Sequence, residues 1–78
     1  MAPSVGHMKP KGASLRALRE SKHISLRSLA KDAGVSHQFL GRLEADGATA
    51  SADTMQRLAE GVGVPLAAIA HTEEMSAR

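Results

Sequence analysis

Four residues close together carry side chains suited to reading the edges of base pairs: Ser36, His37, Gln38 and, one helical turn further on, Arg42. A glutamine amide can bond adenine through N6 and N7. A guanidinium can bond guanine through O6 and N7. His37 can donate to a purine acceptor or to a phosphate oxygen, and Gly41 leaves room for a close approach. A second group suits phosphate. Ser25, Leu26 and Arg27 open an apolar-periodic segment whose first backbone N–H groups form an anion site by geometry, and Arg27 and Lys31 add charge. In Gly47-Ala48-Thr49-Ala50, backbone amides and the Thr49 hydroxyl are further candidate phosphate donors. The same side chains would also serve as ordinary solvated surface.

These groups must be held by two short helices. Ser25 is a helix cap, and Leu26, Leu29, Ala30 and Ala33 follow it at spacings i, i+3, i+4 and i+7. The pattern stops at Gly34, which suits the left-handed conformation just past a helix end. Ser36 offers a second cap, and a second stripe follows: Leu40, Leu43 and Glu44. With that stripe turned inward, Ser36, His37, Gln38, Gly41 and Arg42 fall on the outer face. Two helices joined by a turn of about three to four residues containing Gly is the helix-turn-helix signature. The second helix, about nine residues or ~13 Å long, suits insertion into a major groove.

Glu44 is a charge on an apolar stripe, and Arg19 is another. Each stands four residues after a leucine of its stripe, Leu40 and Leu15. Two opposite charges that both face a core are best explained by pairing with each other. The alternative is that both reach out to water. Phe39 is the only aromatic residue. It packs as core or sits half-exposed, and core packing is favoured because a lone aromatic in a small domain is costly to leave wet.

The rest of the chain supplies the scaffold. Residues 1–12 contain Pro3, Gly6, Pro10 and Gly12 without apolar periodicity and read as a flexible arm. Helix 1 is predicted over residues 13–22, with Leu15, Leu18 and Arg19 on its inner face and Ile24 plugging the gap to helix 2. Ser51 caps helix 4, Asp53 lies in its first turn, and Met55, Leu58, Ala59 and Val62 make its stripe. Gly61 and Gly63 end that helix. Pro65 begins a fifth, with Leu66, Ile69 and Ala70 on its apolar face. The expectation is an all-α, five-helix domain over residues 13–72 and a frayed tail over 73–78.

Composition narrows the function classes. The chain has 78 residues, one Phe, and no Trp, Tyr or Cys. One domain with a small aliphatic core is expected, without disulfides or a thiolate zinc site. No apolar run approaches the ~20 residues that span a bilayer, so a cytoplasmic location without membrane contact is expected. Net charge is only +2, yet Lys9, Lys11, Arg16, Arg19, Lys22, Arg27, Lys31 and Arg42 all precede residue 45. Such asymmetry suits an anionic partner on one side. No phosphate loop, dinucleotide fingerprint or Cys/His pair is present, and His7, His23, His37 and His71 lack metal-ligand spacing. No enzyme activity, cofactor, metal or small-molecule substrate is expected.

The segments LRALRE (15–20), SLRSLAKDAGVS (25–36), FLGRLE (39–44) and MQRLAEGVGV (55–64) stand in order and at a familiar spacing. Together the chain resembles the Cro/lambda-repressor-type helix-turn-helix proteins, also called the xenobiotic-response-element family, from about Leu15 to Ile69. The resemblance implies a lambda-repressor-like DNA-binding fold and a partly buried Arg19–Glu44 pair. It also implies base-reading roles for the positions of Ser36, His37, Gln38 and Arg42. Two departures stand out. Many members have Gln where this chain has Leu26, and many have a basic loop where this chain has residues 47–50. The function implied is a sequence-specific double-stranded DNA-binding regulator, a small homodimeric repressor of phage, plasmid or mobile-element type. The alternative is a protein-interaction module, antitoxin-like or adaptor, that keeps the fold without strong DNA binding; the alanine-rich loop favours it.

Overall fold

The computed structural model describes residues 7–71. Four α-helices follow one another: α1 (Gly12–Ser21), α2 (Leu26–Ala33), α3 (His37–Glu44) and α4 (Ala52–Val62). Their boundaries have local causes. The hydroxyls of Ser25, Ser36 and Ser51 accept hydrogen bonds from the backbone N–H groups of Ser28, Phe39 and Thr54, at 3.0, 3.0 and 3.1 Å. Helices α2 and α4 end on Gly34 and Gly63, at φ +75° and +81°. The N–H groups of Val35 and Val64 then reach back to the carbonyls of Ala30 and Ala59, each at 3.0 Å, and close the last turns.

The core is aliphatic. Leu15, Leu29, Leu40, Leu43, Met55, Leu58, Val62 and Ile69 are buried, and Phe39, half-exposed, packs against them. Gly61 lies inside α4 rather than ending it. A Cβ there would come within 2.6 Å of Leu29 Cδ1, so the missing side chain lets α2 and α4 close on each other.

Two further expectations need correction. The fifth helix is a single 3₁₀ turn, Leu66–Ala68, after Pro65. The chain cannot continue helically because its next residues are committed elsewhere. The Ile69 carbonyl accepts from Lys11 N–H at 2.8 Å, and His71 N–H donates to the Lys9 carbonyl at 2.9 Å. Residues 7–12 are likewise no flexible arm. His7–Met8 (β1) pairs antiparallel with Ala50–Ser51 (β2), and Pro10 bridges Ala70. Met8, Pro10 and Gly12 are buried. This short segment therefore lies between the α3–α4 loop and the end of the described chain, and gives a mostly helical domain a small β component. The expected arm over residues 1–6 and the tail over 73–78 lie outside the described residues.

Candidate nucleic-acid interface

Helix α3 presents the groups that recognition chemistry needs. Gln38 and Arg42, at i and i+4, are both exposed on one side of it. Ser36 and His37 stand at its N-terminus, Ser36 exposed and His37 half-buried. The Ser36 oxygen is occupied as the cap, but its proton remains available to an acceptor. Inward, Leu40 and Leu43 are fully buried and anchor the helix.

The first turn of α2 lies alongside. Leu26 Cδ2 lies 3.9 Å from where a Cβ on Gly41 would stand, so the Leu26 side chain flanks the middle of α3. Leu26 is half-buried against the core, and whatever it offers a phosphate comes from its backbone. Ser25 Oγ holds Ser28 N–H. Arg27 is exposed, and Lys31 is exposed one turn further along, in the last turn of α2. Thr49 is exposed across the α3–α4 loop, with its Oγ1 3.1 Å from His7 Nδ1.

Helix α3 is fixed from behind by Arg19 and Glu44. Arg19 Nε and Nη2 donate to Glu44 Oε2 and Oε1 at 2.7 and 3.1 Å, and Nη1 donates to the Ile24 carbonyl at 2.8 Å. The side chains are only 11% and 7% exposed. One guanidinium thus ties α1, the α1–α2 turn and α3 together. The hydrogen bond to Glu44 raises the Arg19 pKa above its ordinary value, against the opposing effect of burial.

Sequence patterning missed a second joint. Gly12 N–H donates to Asp46 Oδ1 at 3.1 Å, so the start of α1 is capped from the far side of α3. Asp46 takes φ +62°, a conformation its short polar side chain tolerates. A Cβ on Gly12 would strike the backbone carbonyls of Glu44 and Leu43. No local pattern at Gly12 separates this contact from a turn. The only hint is an Asp-Gly pair directly after α3.

Charge is distributed unevenly over these elements. Arg16 pairs with Glu20, Arg19 with Glu44, and Arg57 with Asp53. No carboxylate partner is found among the described residues for Arg27, Lys31 or Arg42, the cations of α2 and α3. Asp32, also on α2, points elsewhere: its Oδ2 lies 4.0 Å from the Cβ position of Gly61 on α4. No cluster able to hold a metal ion occurs among the described residues, and none of their helices is long and apolar enough to cross a membrane.

Two short capped helices about a left-handed glycine, the second displaying unpaired polar side chains, define a helix-turn-helix domain. The chain belongs to the Helix-turn-helix family of Cro/C1 type, which it matches over residues 15–69. It is 36% identical over 53 residues, 68% of its length, to a Mycobacterium tuberculosis protein named as an uncharacterised HTH-type transcriptional regulator. A Mycobacterium bovis protein named likewise is 43% identical over 54 residues. The chain spans only 38% and 21% of the lengths of these two curated relatives. Among solved structures, it is similar to the clp gene regulator ClgR from Corynebacterium glutamicum: TM-score 0.69, 32% identity, covering 72% of this chain and 60% of ClgR. The restriction-modification controller protein C.AhdI from Aeromonas hydrophila gives 0.69 at 26% identity, covering 73% and 86%. SinR, a master regulator for biofilm formation solved in complex with DNA, gives 0.67 at 26% identity, covering 73% and 95%.

Proposed function

We propose that this domain binds double-stranded DNA sequence-specifically and represses transcription by occupying its site, with α3 in the major groove. The observation that carries the proposal is the exposed polar face of α3, where Gln38 and Arg42 stand together on one side above the buried Leu40 and Leu43. Arg16, Arg19 and Arg57 are neutralised within the fold, whereas Arg27 and Lys31 of α2 and Arg42 of α3, like Lys9, Lys11 and Lys22, have no carboxylate partner among the described residues. The likeness to SinR, a DNA-bound regulator, supports the same reading. The residues divide by chemistry. Ser36, His37, Gln38 and Arg42 face base edges. Arg27, Lys31, Thr49 and the backbone of Ser25 and Leu26 face phosphates. The alternative of a protein-docking module loses its main support, because Ala50 is buried and Ala48 packs against the core.

Site selection from a random duplex pool, followed by affinity measurement, tests the proposal. Gln38→Ala and Arg42→Ala should each cost about 1–3 kcal/mol on the selected site and relax preference at one base position each. Arg27→Ala should weaken selected and random DNA alike and make the salt slope shallower by about one unit. If no site is selected, or if the α3 variants change no DNA affinity, the domain is not a sequence reader.

One copy offers one recognition helix, so useful affinity calls for two copies on half-sites about one helical turn apart. The apolar residues Leu66, Ile69 and Met75 near the end of the sequence are candidates for a dimer contact, but Ile69 is fully buried in its own core and is not available to a partner copy. Leu66 is half-buried against that core, and Met75 lies outside the described residues. Sedimentation should show two copies per selected duplex. A single copy on a fully occupied site would end the dimeric reading.

A further inference from the structure

Gly41 is the helical glycine that the fold does not require. Gly12 is held by the carbonyls of α3, and Gly61 by Leu29. A Cβ on Gly41 would meet only Leu26 Cδ2, at 3.9 Å, an ordinary van der Waals contact. Alanine would also be the better helix former there, since glycine gives up more backbone freedom on entering a helix. The fold alone therefore favours a side chain at this position, and the chain leaves it out.

The omission makes a methyl-sized notch on the exposed side of α3. Its floor is the half-buried Leu26 side chain and the Gly41 Cα, and His37 and Gln38 stand one turn before it, at i−4 and i−3. The notch is apolar. Gly41 lies within α3, where its carbonyl accepts from Ala45 N–H at 3.1 Å, and Leu26 brings only carbon. A phosphate would find neither a cation nor a free N–H at its floor. The one apolar group that base pairs present in the major groove is the thymine 5-methyl.

We propose that Gly41 and Leu26 form a thymine-methyl pocket, which makes Gly41 a specificity-determining residue beside Gln38. This rests on the proposed major-groove binding by α3. A methyl group from a base can descend to van der Waals distance of both the Gly41 Cα and Leu26. Any side chain at position 41 fills that space first.

The test combines Gly41→Ala with thymine-to-uracil substitution in the selected duplex, one position at a time. Wild-type protein should lose about four-fold in affinity at one position per half-site, the worth of one buried methyl group. Gly41→Ala should melt at or above the wild-type temperature, bind the selected site several-fold more weakly, and be insensitive to uracil at that position. A wild-type protein indifferent to every uracil substitution overturns the proposal, as does a Gly41→Ala protein that remains sensitive. So does an equal loss on selected and random DNA, which marks close approach of the sugar–phosphate backbone. If no duplex is selected at all, it is the DNA-binding reading that has failed, and the Gly41→Ala melting temperature still reports whether the fold needs this glycine.

Discussion

Glu44→Gln and Arg19→Met should each destabilise the domain by about 3–5 kcal/mol, because each leaves a nearly buried charge without its partner. The pair is bidentate, at 2.7 and 3.1 Å, and both side chains are about nine-tenths buried, so solvent screens it little. Stability for a domain of this size is roughly 4–12 kcal/mol, so either change removes a large share of it. Glu60→Gln is the control, since Glu60 is exposed and accepts a hydrogen bond from Gln56 Nε2 at 3.2 Å. It should cost about 0.5 kcal/mol or less. Thermal melting separates the cases, at about 4–8 °C per kcal/mol for a chain of this length. The double variant Arg19→Met with Glu44→Leu should recover most of the loss, as an apolar pair strands no charge. Equal melting temperatures for Glu44→Gln and Glu60→Gln would show that the pair holds nothing together.

Gly12→Ala should be the next most damaging change, although alanine in a helix usually helps by up to about 1 kcal/mol. Here the sign reverses. The added carbon would meet the Glu44 carbonyl, the Leu43 carbonyl at 2.6 Å and Asp46 Oδ1 at 2.7 Å. Two of these three are backbone atoms at the end of α3 and cannot swing away. Overpacking of this kind costs about 1–3 kcal/mol or more, and separating Gly12 N–H from Asp46 adds about 1 kcal/mol for the lost cap. Gly47→Ala is the comparison. Its Cβ would stand 3.5 Å from the Arg42 carbonyl, within ordinary contact, and the change should be mild. A drop in melting temperature of less than about 4 °C for Gly12→Ala would mean that α1 and α3 are not seated as closely as described.

The parts of this molecule that are written locally can be read from its sequence. Ser25, Gly34, Ser36, Ser51 and Gly63 mark helix ends because a cap or a left-handed turn needs only its nearest neighbours. Removing the Leu40, Leu43 and Glu44 stripe from α3 leaves Gln38 and Arg42 in solvent, where the structure has them. The positions of Arg19 and Glu44 on apolar stripes already point each charge inward. The missed features depend on partners far away in sequence. Strands of two residues carry no periodicity, so β1 and β2 are invisible until residues 7–8 are set beside 50–51. Pro10 and Gly12 signal a break in helical structure but not what lies across it. The fifth helix fails for the same reason: Leu66, Ile69 and Ala70 have helical spacing, yet the backbone of residues 69–71 is claimed by residues 9–11.

The pairing of Lys9 and Lys11 with His71 and Ile69 also makes the domain almost a ring. Its first and last described segments run side by side, with Pro10 opposite Ala70. A short linker between them would close the circle without disturbing a helix. The order in which the helices are synthesised is then separable from the way they pack. A circularly permuted chain, closed there and opened at the exposed Gly47 instead, keeps α2 and α3 contiguous and keeps the outer face of α3 intact.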